Sequence, residues 1–153
     1  MANEFVQKEI ENILKDTSYT FPLNVAMASA YVCANFKGEN LKIFDVSKTS
    51  GICDFTVLAT AKNSMQAAAI VDELAKSLRD HGKKILSIEG YNTSEWILLD
   101  TGDVIVHVFL GGARDIYDLD MIFAKNEQVT IPDEYYFSKP QAQRTHEELK
   151  NYF

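Results

Sequence analysis

The chain predicts a single α/β domain: a mixed five-stranded sheet covered by helices. Three observations carry that prediction. Hydrophobic periodicity switches between helical and strand spacing in the order α-α-β-β-α-β-β-β-α. Two of the links between strands are short and hairpin-like, which excludes an all-parallel sheet. One helical stretch is apolar nearly all round, the pattern of a helix sandwiched in a core or against a sheet.

Residues 3–15 read as a weakly amphipathic helix, with Val6, Ile10, Ile13 and Leu14 on one face and Asn3 as N-cap. Residues 16–21 are a linker of turn formers, and Pro22 opens the next helix. That helix, 23–36, is the all-apolar one, and Lys37-Gly38 stops it. Residues 41–46 (LKIFDV) form a strand with little polar alternation, so both faces should be covered. Residues 54–60 (DFTVLAT) are its antiparallel neighbour. The clearest helix spans 63–81, with Ala67, Ile70, Val71, Leu74 and Leu78 as its buried stripe. Asn63 and Gln66 are spaced for a capping box, and Gly82 for a left-handed stop. A third strand covers 85–88.

The stretch 89–123 holds the only tryptophan, Trp96. Its two apolar runs, 96–99 and 104–110, form a hairpin across Asp100-Thr101-Gly102-Asp103, with Gly102 free to take positive φ. In the second run Val104, Val106 and Val108 make the core side, so Ile105, His107 and Phe109 face the other way, towards a partner or a second layer. Gly111-Gly112 turns the chain into a short apolar helix bearing Arg114 and Tyr117. From residue 124 the chain reads as polar and irregular, with an aromatic patch at 134–137 and a short helix at 145–153. The apolar helix and the 63–81 helix are assigned to the faces of the sheet. The divisions are an N-terminal helical extension (1–23), a central domain (24–125) and a polar, aromatic tail (126–153).

The 153 residues suit one core, and 46% apolar with 24% charged residues is an ordinary soluble composition. A formal net charge of −7 argues against a protein that grips nucleic acid through phosphates. It suits a basic protein partner better. Cys33 and Cys53 stand alone, with no zinc spacing, as buried thiols of a reducing compartment do. The N-terminus carries no signal-like apolar core, and no apolar run nears the roughly 20 residues that span a bilayer. The expectation is a cytoplasmic protein that touches no membrane.

Catalytic chemistry finds little support in the residues. Asp100 and Asp103 are separated by a turn, and Asp118 and Asp120 fall on different helical faces, so neither pair makes a two-metal site. His107 has no nucleophile or acid at motif spacing and reads as a hydrogen-bonded structural histidine. Gly111-Gly112 lacks the context of a phosphate loop. Arg114 either caps an internal carboxylate or projects as an interface anchor. Trp, Tyr and Arg dominate protein-binding hot spots. The candidate partner-binding residues are therefore Trp96, Asp100, His107, Phe109, Arg114 and Tyr117, with no catalytic residue, metal or cofactor expected.

The pattern EG…WILLDTGDVIVHVF…RDIYDLD, preceded by LKIFDVS…SGICDFTVLAT, resembles the signature of the ribosomal silencing factor (Iojap) family. The resemblance runs from about residue 24 to 123 and includes Trp96, Asp100, Gly102, Asp103, His107, Arg114, Tyr117 and Leu119 at family spacing. The chain departs from the family at Phe55, Ala61, Met65 and Phe123, where Tyr, Gly, Arg and Trp are usual. The resemblance implies a nucleotidyltransferase-like fold without catalytic acids. It implies a homodimer, and a partner in the large-subunit ribosomal protein numbered fourteen (L-fourteen). It implies a translation repressor that blocks joining of the small subunit when nutrients fall. A large-subunit biogenesis factor using the same contact is the alternative, and a nucleotidyltransferase-type enzyme a remoter one.

Overall fold

The computed structural model describes residues 4–92 and 95–136. Helices α1 (Glu4–Lys15) and α2 (Leu23–Asn35) lead into strands β1 (Glu39–Asp45) and β2 (Phe55–Ala61), then α3 (Ser64–Asp80). Strands β3 (Ser87–Glu89), β4 (Trp96–Asp100) and β5 (Val104–Leu110) follow, then α4 (Gly111–Tyr117), α5 (Leu119–Ile122) and β6 (Glu127–Val129). A 3-10 turn at Asp133–Tyr136 closes the described chain. The sheet has six strands rather than five, in the order β3-β4-β5-β2-β1-β6. It is mixed, as the short links require: β2 and β5 run parallel at its centre and every other pair is antiparallel. The missed strand, β6, is three residues of weak strand pattern, stabilised by pairing with β1 rather than by its own propensity.

Residues 127–136 are therefore more ordered than their polarity suggested. Of the expected 134–137 aromatic patch, Tyr135 is buried in the core, edge-on to Tyr31 with ring centroids 5.5 Å apart. Residue 137, the proposed helix at 145–153 and the Asn3 cap lie outside the described residues.

The larger core lies on one face of the sheet. Leu41, Ile43, Val57, Ala59, Ile97, Leu99 and the valines 104, 106 and 108 meet α2 and α3 there. Both long helices thus cover the same face, not opposite ones. The apolar circumference of α2 is consumed by the sheet, by α3, and by Val6, Ile10 and Ile13 of α1 on its outer side. Each such aliphatic side chain stabilises the packing by about 1.5–3 kcal/mol. Asn24, buried at the start of α2, donates from Nδ2 to the Leu14 carbonyl at 3.0 Å and so satisfies an orphan acceptor at the end of α1.

Local chemistry sets the element ends. Lys37 takes the left-handed conformation (φ 65°) after α2, and Gly38 follows because a Cβ there would lie 2.8 Å from the Cys33 carbonyl oxygen. Asn63 caps α3 by accepting from the Gln66 amide at 2.8 Å. The reciprocal arm of the box is displaced by one residue: Gln66 Oε1 accepts from the Lys62 amide at 2.7 Å, while its Nε2 donates to the carbonyls of Phe36 and Lys37. Gln66 thereby ties the start of α3 to the end of α2.

The other face has a smaller core of Phe44, Val46, Leu58, Phe109 and Ala113, covered by α4 and α5. These helices are too short to hold themselves in place by propensity. Arg114 holds them. Its guanidinium, 4% exposed, pairs bidentately with Asp120, both bonds 3.0 Å, and donates to the Asn40 carbonyl at 2.6 Å and to Thr60 Oγ1 at 3.0 Å. Lys42 adds a second positive charge, its ammonium lying 2.9 Å from Asp120 Oδ1. One cluster thus links α4, α5, β1 and β2.

Asp120 is held well below the usual carboxylate range, chiefly by the Arg114 hydrogen bonds and then by Lys42, against the opposing effect of burial. A carboxyl with a depressed folded-state value contributes stability that is complete above its unfolded value and lost as pH falls through the folded one. Asp120→Asn should cost about 3 kcal/mol, because it leaves a buried guanidinium without its counter-charge. Denaturant titration of both proteins should show that gap unchanged from neutral pH down to about 4, narrowing only below. A variant as stable as the parent at pH 7 would show that the cluster is not structural.

Candidate docking surface

Four of the six candidate residues meet at one place. Trp96 opens β4 and pairs with Phe109 near the end of β5. Its ring stacks on Phe109 at 5.0 Å, lies 5.7 Å from His107 and 4.8 Å from Tyr117 of α4. The hairpin sets the first two contacts, because cross-strand and diagonal neighbours on one face fall within reach of large rings. The chain passes from β5 straight into α4, which begins at Gly111 and Gly112 and supplies Tyr117.

Exposure sorts these residues differently from the sequence expectation. Phe109 is fully buried and His107 is 7% exposed, so both form the floor of the surface rather than contacts upon it. Arg114 is an internal clamp, the first of its two expected roles. Trp96 is half-buried, and Tyr117, 52% exposed, is the most open of the group. Asp100 does not join it. It sits at the far end of β4, where Oδ1 accepts from the Gly102 amide at 2.7 Å and closes the turn that Gly102 enters with φ 97°.

His107 lies on the face away from the valines, as its alternation demands, but a second layer covers it. Trp96 Nε1 donates to His107 Nδ1 at 3.0 Å, which requires the imidazole to be neutral with that nitrogen unprotonated. Burial lowers its pKa from 6.5 to about 4, in keeping with that state. Among the described residues no cluster of three or more His, Cys, Asp or Glu side chains could hold a metal ion. The arrangement offers stacking and apolar contact.

Sequence reasoning missed the residues that extend this surface. Ile116 is 78% exposed, Met121 73% and Ile122 64%, on the outer side of α4 and α5. The expected single helix is two, broken at Asp118, which adopts φ 48° and caps α5 by accepting from the Met121 amide. That break turns Ile116-Tyr117 and Met121-Ile122 outward instead of burying one pair. The signal available was an aspartate, a turn former, between two apolar pairs. Asp120 and Lys42, the other members of the Arg114 cluster, had no sequence signal beyond their charge.

The buried neutral imidazole has a measurable consequence. With its folded value near 4 and its ordinary value near 6.5, the unfolded chain binds the extra proton between those limits, so stability falls as pH is lowered through that window. His107→Gln should flatten this part of the profile relative to the parent in thermal melts. Parallel slopes for the two proteins between pH 6.5 and 4.5 would contradict a buried, neutral His107.

Comparison with known proteins identifies relatives. A family model described as "Ribosomal silencing factor during starvation" matches residues 22–152. The chain is 33% identical over 89 residues to ribosomal silencing factor RsfS of Chromobacterium violaceum, spanning 58% of this chain and 73% of that protein. It is 35% identical over 88 residues to RsfS of Haemophilus influenzae, spanning 58% and 86%. It is 27% identical over 113 residues to the chloroplastic protein Iojap of Zea mays, spanning 72% of this chain and 48% of that longer protein. Crystal structures of proteins from Chromobacterium violaceum and Bacillus halodurans share the fold, each with a TM-score of 0.60, at 28% and 29% identity. They cover 69% and 71% of this chain, and 88% and 96% of their own. With most of its length matched by the family model, the chain belongs to the ribosomal silencing factor family.

Proposed function

We propose that this protein is a non-enzymatic translation repressor. It binds the large ribosomal subunit through ribosomal protein L-fourteen and blocks joining of the small subunit, above all under nutrient limitation. Family membership supports the ribosomal role. The observation that carries a docking mechanism is the exposed apolar surface of Ile116, Tyr117, Met121 and Ile122, continuous with Trp96 through the Trp96–Tyr117 contact. Large exposed apolar groups gathered on a rigid frame mark interaction sites. The rigid frame matters, because an interface formed from preordered side chains loses less entropy on binding. A net charge of −7 favours approach to a basic ribosomal protein. The same reading includes a cytoplasmic homodimer that works without metal or cofactor.

Purified full-length protein should co-sediment with large subunits and reduce their association with small subunits. Tyr117→Ala should weaken that binding by about 2 kcal/mol, roughly thirtyfold, as loss of an aromatic hot spot does. Ile116→Asp and Met121→Asp should each weaken it at least about tenfold while leaving the melting temperature near that of the parent, since both side chains are solvent-exposed. Unchanged binding in all three would place the contact elsewhere. Normal subunit joining at saturating protein, with accumulated precursor particles on depletion, would favour the biogenesis role.

A further inference from the structure

At the end of the molecule away from Trp96, the α1–α2 linker, the stop after α3 and the β4–β5 turn converge on a second feature. They enclose a cleft of about 250 Å³ lined by Phe21, Val25, Lys83, Lys84, Thr101 and Asp103. Phe21 is 60% exposed, and Lys83 Nζ lies 5.6 Å from its ring centroid, a cation–π contact that leaves most of the ring open. Neither ammonium, and not the Asp103 carboxylate, forms an ion pair among the described residues. The backbone beneath is fixed: the Lys83 amide donates to the Leu78 carbonyl at 2.8 Å, and Thr101 and Val104 close the turn with bonds of 2.9 and 3.1 Å.

We propose that this cleft is a binding site for a nucleoside phosphate. The open Phe21 ring offers a stacking face to a base, which every nucleobase can use. Lys83 and Lys84 supply two positive charges for a phosphate. Asp103 repels a bare polyanion and accepts hydrogen bonds from sugar hydroxyls or base amino groups, so it selects ligands that carry donors as well as negative charge. The three chemistries occur together in a mononucleotide. A cleft of this size falls just below the usual range for small-molecule sites, which suits a small ligand held partly in solvent. A single-stranded nucleic acid is the weaker fit: it needs a track of positive charge along its backbone, whereas 22 acidic residues here outnumber 15 basic ones. The cleft is separated from the docking surface by the length of the β4–β5 hairpin, so the site stands independently of the ribosomal reading.

The test is amide-resolved NMR titration of the full chain with adenosine and guanosine monophosphates, adenosine, inorganic phosphate and a uridine pentanucleotide. A monophosphate should shift the amides of Gly82, Lys83, Lys84 and Thr101. Adenosine and inorganic phosphate should each bind at least about tenfold more weakly than the nucleotide. Lys84→Ala and Phe21→Ala should each weaken the nucleotide about tenfold, and Lys62→Ala, at the opposite end of the sheet, should not. Should Phe21→Ala disturb the fold, Lys84→Glu carries the test, since a reversed charge on an exposed side chain should abolish binding. The proposal fails if millimolar nucleotide shifts none of these amides. It also fails if phosphate binds as tightly as the nucleotide, or if the pentanucleotide binds more tightly than either monophosphate.

Discussion

The Arg114–Asp120 pair is the interaction on which the outer face depends. Two helices of seven and four residues have no independent stability, yet they carry every strongly exposed apolar group of the docking surface. A planar guanidinium suits the task. It grips one carboxylate with two nitrogens and still has a third free for a backbone carbonyl on β1 and a hydroxyl on β2. A lysine at that position would satisfy one partner at a time. The left-handed Asn40 (φ 52°), at the irregularity in the β1–β2 pairing, offers its carbonyl to Arg114 Nη1. A distortion in the ladder thus serves the attachment of a helix on the other side of the chain.

The two faces of the sheet are treated unequally. One is buried under long helices with a continuous aliphatic core. The other is only partly covered, with aromatic side chains where the cover ends. Stacked rings are well suited to such a margin, since they bury large area at small entropic cost and tolerate partial solvent contact. His107 within this layer is kept neutral by burial and by the Trp96 N–H, so no uncompensated charge lies under the surface.

Where one residue type decided a local structure, the sequence was a good guide. The valine face of β5, the Asn63 cap and the Gly102 turn follow from alternation, side-chain oxygen chemistry and positive φ. Membership of the family was legible from the spacing of Trp96, Asp103, His107 and Arg114. What could not be read depended on partners distant in sequence. β6 exists because β1 has an open edge, and Tyr135 is buried because α2 offers it Tyr31. Arg114 and Phe109 have the residue types of an interface, but their burial is decided by residues more than fifty positions earlier in the chain: Thr60 for Arg114, and Leu58 and Phe44 in the core around Phe109. Composition alone does not distinguish an anchor from a clamp.

The parallel pairing of β2 with β5 joins residues 49 apart at the middle of the sheet. Each hairpin on either side is local, so β1–β2 and β4–β5 can form early, whereas the seam between them closes only after α3 and the later strands have been made. A nascent chain that ends before β5 therefore presents β2, a strand with six of its seven residues buried in the finished fold, as an open edge. During synthesis the protein that is proposed to act on ribosomes is itself at its most aggregation-prone while still attached to one.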